Sequence, residues 1–307
     1  VAERGDRQQS CQGREAHKLG GQAVIEGVMI KGPRHAAVAV RAEDGTLKIT
    51  ARDVSATRRP PWSWPVFRGV VILWQTMALG MWALDVSARE AAGEEEGEES
   101  PWMMVVTVGL ALSLGVALFF WLPLLATQLV RDYLLPALER GLLFNLVDGV
   151  IRLLVFVLYV VGIGFIPGIG RIFQYHGAEH KMVFLWEREG RVDPAGAGPY
   201  STHHPRCGTS FLLTVMVVSI LFFSLIPKES VFWIKFLGRL FFLPLIAGLS
   251  FEIIRLADRS RGPLAALFMA PGLWLQGLTT REPDPPMLEV AAAALEEVLR
   301  REGIAHD

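Results

Sequence analysis

The stretch WMMVVTVGLALSLGVALFFWLPLLATQLV, Trp102 to Val130, decides the fold class: it runs 29 residues without a charge. A helix of about 20 apolar residues crosses a bilayer core, and this run exceeds that length. Working outward, three further runs qualify as spans. Leu153 to Gly170 ends in GIGFIPGIG, Cys207 to Ile226 is closed by Pro227, and Ser230 to Phe251 carries Lys235 and Arg239. Those two cations can snorkel toward the interface. Gly69 to Leu84, which holds Gln75, and Gly262 to Thr280, interrupted by Met269 to Gly272, are shorter or broken. They read as re-entrant or interfacial helices. The expected fold is a polytopic α-helical membrane protein: four transmembrane helices, re-entrant or amphipathic helices, and a small cytoplasmic β-containing region.

Composition agrees. The chain has 307 residues, 51% hydrophobic and 20% charged, which excludes a disordered chain. A net charge of −1 supplies no basic field, so no nucleic-acid partner is expected. Cys11 and Cys207 are too few for a disulfide framework. The first 20 residues are polar and charged, so no signal peptide is expected. Arg171, Lys181, Arg188, Arg191 and Arg206 collect between the second and third spans; Arg255, Arg259 and Arg261 follow the fourth. That bias places both termini in the cytoplasm of a bacterial cytoplasmic membrane.

The chain divides accordingly. Residues 1–20 form a disordered polar N-terminus and 21–60 a small cytoplasmic β region. There Ala23 to Ile30 reads as an apolar strand, and Ala37 to Val40 pairs with Leu47 to Ala51 around Glu43-Asp44-Gly45. Residues 61–100 hold an interfacial or re-entrant helix and the acidic EEEGEE loop. Residues 101–256 are a four-helix membrane domain with a His-rich cytoplasmic loop at 171–206. Residues 257–307 hold an interfacial segment and a C-terminal amphipathic helix. Met182 to Trp186 reads as one more short strand. Glu26, inside the apolar Ala23–Ile30 run, needs a partner.

The chemistry concentrates at His176-Gly-Ala-Glu179-His180, an H-x-x-E-H motif. On a helix the two histidines share a face, with Glu179 beside them. Two neutral imidazoles at that spacing can hold Zn²⁺ or a similar divalent ion, with the glutamate as general base. His203, His204 and Cys207 follow in HHPRC. A third ligand from His204 or Cys207 leaves one position open, as a catalytic zinc requires, whereas both together close the site. Arg206 or Lys181 can stabilise an oxyanion. Glu252 lies 72 residues after His180 and is a candidate further ligand or base, or half of an ion pair with Arg255. Asp148 and Arg152 form a second charged pair beside the second span.

With the landmarks GGQAVIEGVMIKGPR, FRGVV, FQYHGAEHK, HPRCGTSFL, FEIIRLA and PGLWLQGLTTREP, the chain resembles the YqhQ-like bacterial membrane proteins from about Gly20 to Ala294. The resemblance implies an integral membrane enzyme that depends on a metal, and it implies no particular reaction. The second histidine before Pro205 leaves the choice of ligand open.

Three functions compete. One is a membrane metallohydrolase, a peptidase among the options, acting at the cytoplasmic bilayer face. The second is a non-catalytic oligomeric scaffold, channel or translocation-associated factor whose His/Cys cluster is structural. The third is a transporter using Glu252 and Arg255. The lipid bilayer is the certain partner, a homo-oligomer is expected, and a membrane protein or peptide is a further candidate partner.

Overall fold

The computed structural model describes residues 19–54, 60, 62–92, 101–134, 141–204, 207–223, 232–259 and 263–304. Four strands come first: β1 Gly20–Val24, β2 Gly27–Lys31, β3 His35–Arg41 and β4 Leu47–Asp53. The helices follow: α1 Phe67–Ala92, α2 Pro101–Val116, α3 Leu122–Tyr133, α4 Gly141–Ile163, α5 Pro167–Glu189, α6 Pro194–Ala197, α7 Thr209–Phe223, α8 Phe232–Arg259, α9 Pro263–Thr279 and α10 Pro285–Glu302. One π-helical turn, Ala117–Trp121, joins α2 to α3. Arg206, the Lys235 side chain, most of the acidic loop and residues 1–18 lie outside the described residues.

The strands form an antiparallel meander in the order β1-β2-β3-β4. The β3–β4 hairpin is the expected one, turned at Gly45 with φ 83°. Ala23–Ile30 is not one strand. Val24 pairs with Gly27, and Glu26 sits in the tight turn between them with φ 48°. The apolar run takes the end of β1 and most of the buried β2, so its composition hides the turn.

The pleat sorts side chains onto two faces. Val24, Met29, Val38 and Val40 meet Leu79 and Ala83 of α1. Val28, Ile30, Ala37 and Ala39 meet Met182 and Trp186 of α5 and Val290, Leu295 and Val298 of α10. The sheet is therefore the middle of three layers. Each large side chain buried there, such as Trp186, stabilises by about 2–3 kcal/mol.

Helix α5 starts at Pro167, whose missing N–H costs nothing in a first turn, and stops at Gly190 with φ 77°. Met182–Trp186 is thus the last part of a helix and not a strand. The run is apolar because sheet and α10 bury it, and a short buried run has the same composition in either conformation.

Among the described residues four helical stretches are long and apolar enough to cross a membrane: Phe67–Ala92, Val105–Tyr133, Leu143–Ile163 and Phe236–Ala257. The number matches the expectation, but the set differs. Helix α1 is continuous over 26 residues, and its later half lies against the sheet. Of the Cys207–Ile226 candidate, α7 covers Thr209–Phe223, and 224–226 lie outside the described residues. The Leu153–Gly170 candidate begins at Gly141 and ends at Ile163. Its true start was hidden by Asp148 and Arg152, which pair inside the bundle at 2.7 Å, with Arg239 of α8 on the same carboxylate at 3.0 Å. Paired charges do not end a span. Helix α9 runs through Met269–Gly272 with Pro271 inside it, and its Leu275 packs against Phe156, Val160 and Leu213.

Candidate metal centre

The site forms where α5, the end of α9 and the segment before α7 meet. One turn of α5 places His176 and His180 on one flank, ring centroids 4.4 Å apart. Cys207, just before α7, reaches the same point, with Sγ 3.2 Å from His176 Nε2. One ligand atom from each of His176, His180 and Cys207 lies within 4.8 Å of the others.

Both rings are oriented from behind. His176 Nδ1 bonds the Thr279 carbonyl at 2.9 Å and His180 Nδ1 bonds the Thr202 carbonyl. A carbonyl can only accept, so each Nδ1 carries the hydrogen and each Nε2 keeps its lone pair. That is the tautomer a metal needs, fixed by second-shell partners. Bonds of about 2.0–2.3 Å in a tetrahedral zinc site put N and S ligands about 3.5 Å apart, close to the His176–Cys207 separation.

Glu179 completes the group. Its Oε2 lies 3.5 Å from His180 Nε2 and makes no hydrogen bond among the described residues. Burial holds this carboxyl above its usual range; His176 and His204 pull it down, while Glu187 adds to the rise. The sheet covers it: a Cβ on Gly21 of β1 would sit 2.5 Å from Glu179 Oε1. Only glycine permits that approach.

The other predicted residues fall elsewhere. His204 is beside the cluster, its ring 5.7 Å from that of His180, and its Nε2 lies 3.4 Å from Glu187. Its backbone is clamped by Gln276, which accepts from His204 N–H at 2.8 Å and donates to its carbonyl at 2.9 Å. His203 bonds the Thr202 hydroxyl at 3.2 Å. Lys181 is not brought to the cluster. It points to the opposite flank of α5, where its ammonium bonds Glu282 and, at 2.6 Å, the Gly198 carbonyl. Glu252 is not brought there either, because it is paired with Arg68 where α8 meets α1. Glu26 finds its partner in Arg171, whose hydrogen bonds lower its carboxyl's pKa; Tyr175 adds a third bond.

Sequence reasoning missed Gln276, Thr279 and Gly21. Gln276 and Thr279 had a signal, as polar residues closing an otherwise apolar helix. Gly21 had none without the packing.

The family model for DUF1385, proteins of unknown function, matches residues 64–301. The chain belongs to the DUF1385 family. It is also 30% identical over 302 residues to the uncharacterized protein YqhQ of Bacillus subtilis (strain 168), with 93% of each chain covered. No solved structure matches. The YqhQ-like resemblance is thereby shown. The DUF1385 match contains all of α5, Cys207 and α9, so the cluster lies inside the family's own region; β1 and Gly21 lie outside that match.

Proposed function

We propose that the chain is a metal-dependent membrane hydrolase. One observation carries the reading: three ligand atoms converge, both imidazoles with their tautomers fixed, next to a buried carboxylate whose Oε2 has no hydrogen bond among the described residues. His176, His180 and Cys207 would hold Zn²⁺ or a similar divalent ion; two imidazoles and a thiolate suit it and leave a fourth position open. Bound there, the ion would supply Lewis-acid activation of water and of a carbonyl.

The chain's own residues do the rest. Thr279 and Thr202 hold the imidazoles in register through their carbonyls. Glu179 takes a proton from water as its oxygen bonds to the carbonyl carbon of an amide or ester. The same proton passes to the departing amine or alcohol as the old bond breaks. Arg206 remains the candidate for oxyanion stabilisation. Since β1 and α10 share one core with α5, both ends of the described chain lie on the same side as the cluster. We place that side in the cytoplasm of a bacterial cytoplasmic membrane, on the Lys/Arg bias, with the chain acting as a homo-oligomer.

The 3.2 Å contact between His176 and Cys207 also fits a second reading, a thiol nucleophile with a histidine base. His180 and Glu179 have no evident task in that chemistry, so the metal reading is preferred.

The test is metal content of detergent-purified protein, wild type against His176→Ala/His180→Ala. About one zinc per chain, lost in the double variant, is expected. Zinc should also block alkylation of Cys207 by iodoacetamide. Metal-free protein that takes up no added zinc, with a readily alkylated Cys207, would overturn the metal reading in favour of the thiol.

A further inference from the structure

We propose that the outer edge of β1 docks an extended polypeptide and lays it across the flank of α5 that carries His176 and His180. The chemistry rests on the hydrolase reading above; the inference adds the substrate class, a polypeptide bound as a strand.

The edge is open in a defined pattern. Among the described residues β1 is outermost in the sheet and pairs only with β2. Val24 and Gly27 close a two-residue turn, so Val24, Gln22 and Gly20 exchange hydrogen bonds with β2. Gly21 and Ala23 therefore turn their N–H and C=O groups outward. Among the described residues no hydrogen bond reaches these groups. Gln22 and Val24 point to the α1 face and Gly21 and Ala23 to the α5 face, so neither helix layer closes the edge itself.

The opposite edge shows what protection looks like. β4 carries Lys48, Arg52 and Asp53, the kind of charges that keep an edge from pairing. β1 reads Gly-Gly-Gln-Ala-Val, with no charge and no side chain at its first two positions. An alternating row of backbone donors and acceptors is complemented by another extended chain.

The position of the edge links it to the site. Around α5, Met182 and Trp186 lie beneath the sheet, and Glu179 lies beneath Gly21. Continuing in the same sense, His176 falls about 60° and His180 about 100° beyond Glu179. Lys181, bonded to Glu282 at the approach to α10, lies on the other flank. The histidines therefore flank α5 on the side of the β1 edge, away from α10. A strand added about 4.8 Å outside β1 runs along that flank, where His180 is 2% exposed and the half-buried His176 and Cys207 are the parts of the cluster left to meet it.

The experiment uses full-length protein carrying Glu179→Gln and a short fluorescein-labelled Val/Thr-rich peptide. One version of the peptide is N-methylated at alternate residues, a second at the intervening residues. Strand addition predicts that one N-methyl register binds about tenfold more weakly while the other binds like the parent. It also predicts slower hydrogen exchange at the Gly21 and Ala23 amides when peptide is bound. Ala23→Pro removes one outward donor at an edge position where proline is tolerated; it should weaken binding about tenfold and leave zinc content unchanged. Equal weakening by both registers, or unchanged exchange at Gly21 and Ala23, overturns the docking proposal. So does tight peptide binding that appears only after residues 1–17 are removed, because the edge is then filled by the chain itself. Zinc content reports separately on the hydrolase reading: zinc present without register-dependent binding sinks the docking alone, and the reverse pattern sinks the hydrolase alone.

Discussion

Asp148 and Glu179 are both carboxylates buried in an apolar protein, at 1% and 5% exposure, and they are held in opposite ways. Asp148 lies between α4 and α8 with two guanidinium groups on its oxygens, Arg152 at 2.7 Å and Arg239 at 3.0 Å. Phe223 adds a ring face to both arginines, at 4.7 and 5.2 Å. Among the described residues Glu179 has no guanidinium beside it: its Oε2 lacks a hydrogen bond and lies 3.5 Å from His180 Nε2. A buried charge stabilises a fold only when it is paired. The first arrangement is a structural tie between helices. The second is costly for folding and is the pattern expected where a proton must be taken.

The comparison can be broken most decisively at Asp148. Asp148→Ala leaves two guanidinium groups buried without a counter-charge, and should cost about 3–5 kcal/mol, read as a large fall in the thermal unfolding midpoint in detergent. If the tie is dispensable, the midpoint will barely move. Gly177→Ala comes next. A Cβ there meets the Arg281 carbonyl at 2.1 Å, a rigid backbone atom close to Thr279, which orients His176. Overpacking of this kind costs about 1–3 kcal/mol. Zinc affinity should fall with it, whereas a merely structural contact would lower the midpoint alone.

Gln276→Ala is expected to be milder, about 1–2 kcal/mol. It removes both Gln276 bonds from the His204 backbone, but the carbonyl keeps the Cys207 N–H at 3.3 Å and a water can enter the space left by the amide. The 201–207 segment should then protect its amides less well in hydrogen exchange. Unchanged protection would show that Gln276 is not what holds the segment bearing Cys207.

These residues also mark how far the sequence could be read. H-x-x-E-H made the meeting of His176 and His180 legible, because helical spacing alone brings them together. Cys207 was reachable because it stands only three residues after His204 in the sequence. Glu252 was misleading: its distance along the chain suggested a ligand, yet its nearest opposite charge, Arg68, was on a helix whose packing no local pattern reveals. The spans were located by apolar length, so α4 was started about three turns late. A hydropathy rule counts Asp148 and Arg152 as interruptions, while the fold cancels them against each other and Arg239. Met182–Trp186 failed for a related reason, because burial on several sides removes the periodicity that separates helix from strand.

Glu179→Gln is the smallest change for the fold and the sharpest for function. The amide keeps the shape and has no charge to desolvate, so the unfolding midpoint should stay within about 0.5 kcal/mol of wild type or rise. The contrast with Asp148→Ala follows from partners and not from depth. Zinc content should be retained, since the ligand atoms belong to His176, His180 and Cys207. On the proposed hydrolase reading, hydrolysis of fluorogenic peptides and esters should fall about 10²–10⁴-fold, because that reading gives Glu179 the proton transfer. A variant that loses stability instead would mean Glu179 is paired in the working protein much as Asp148 is. The cluster would then be a closed clip between α5, α9 and the start of α7, and the membrane domain a scaffold.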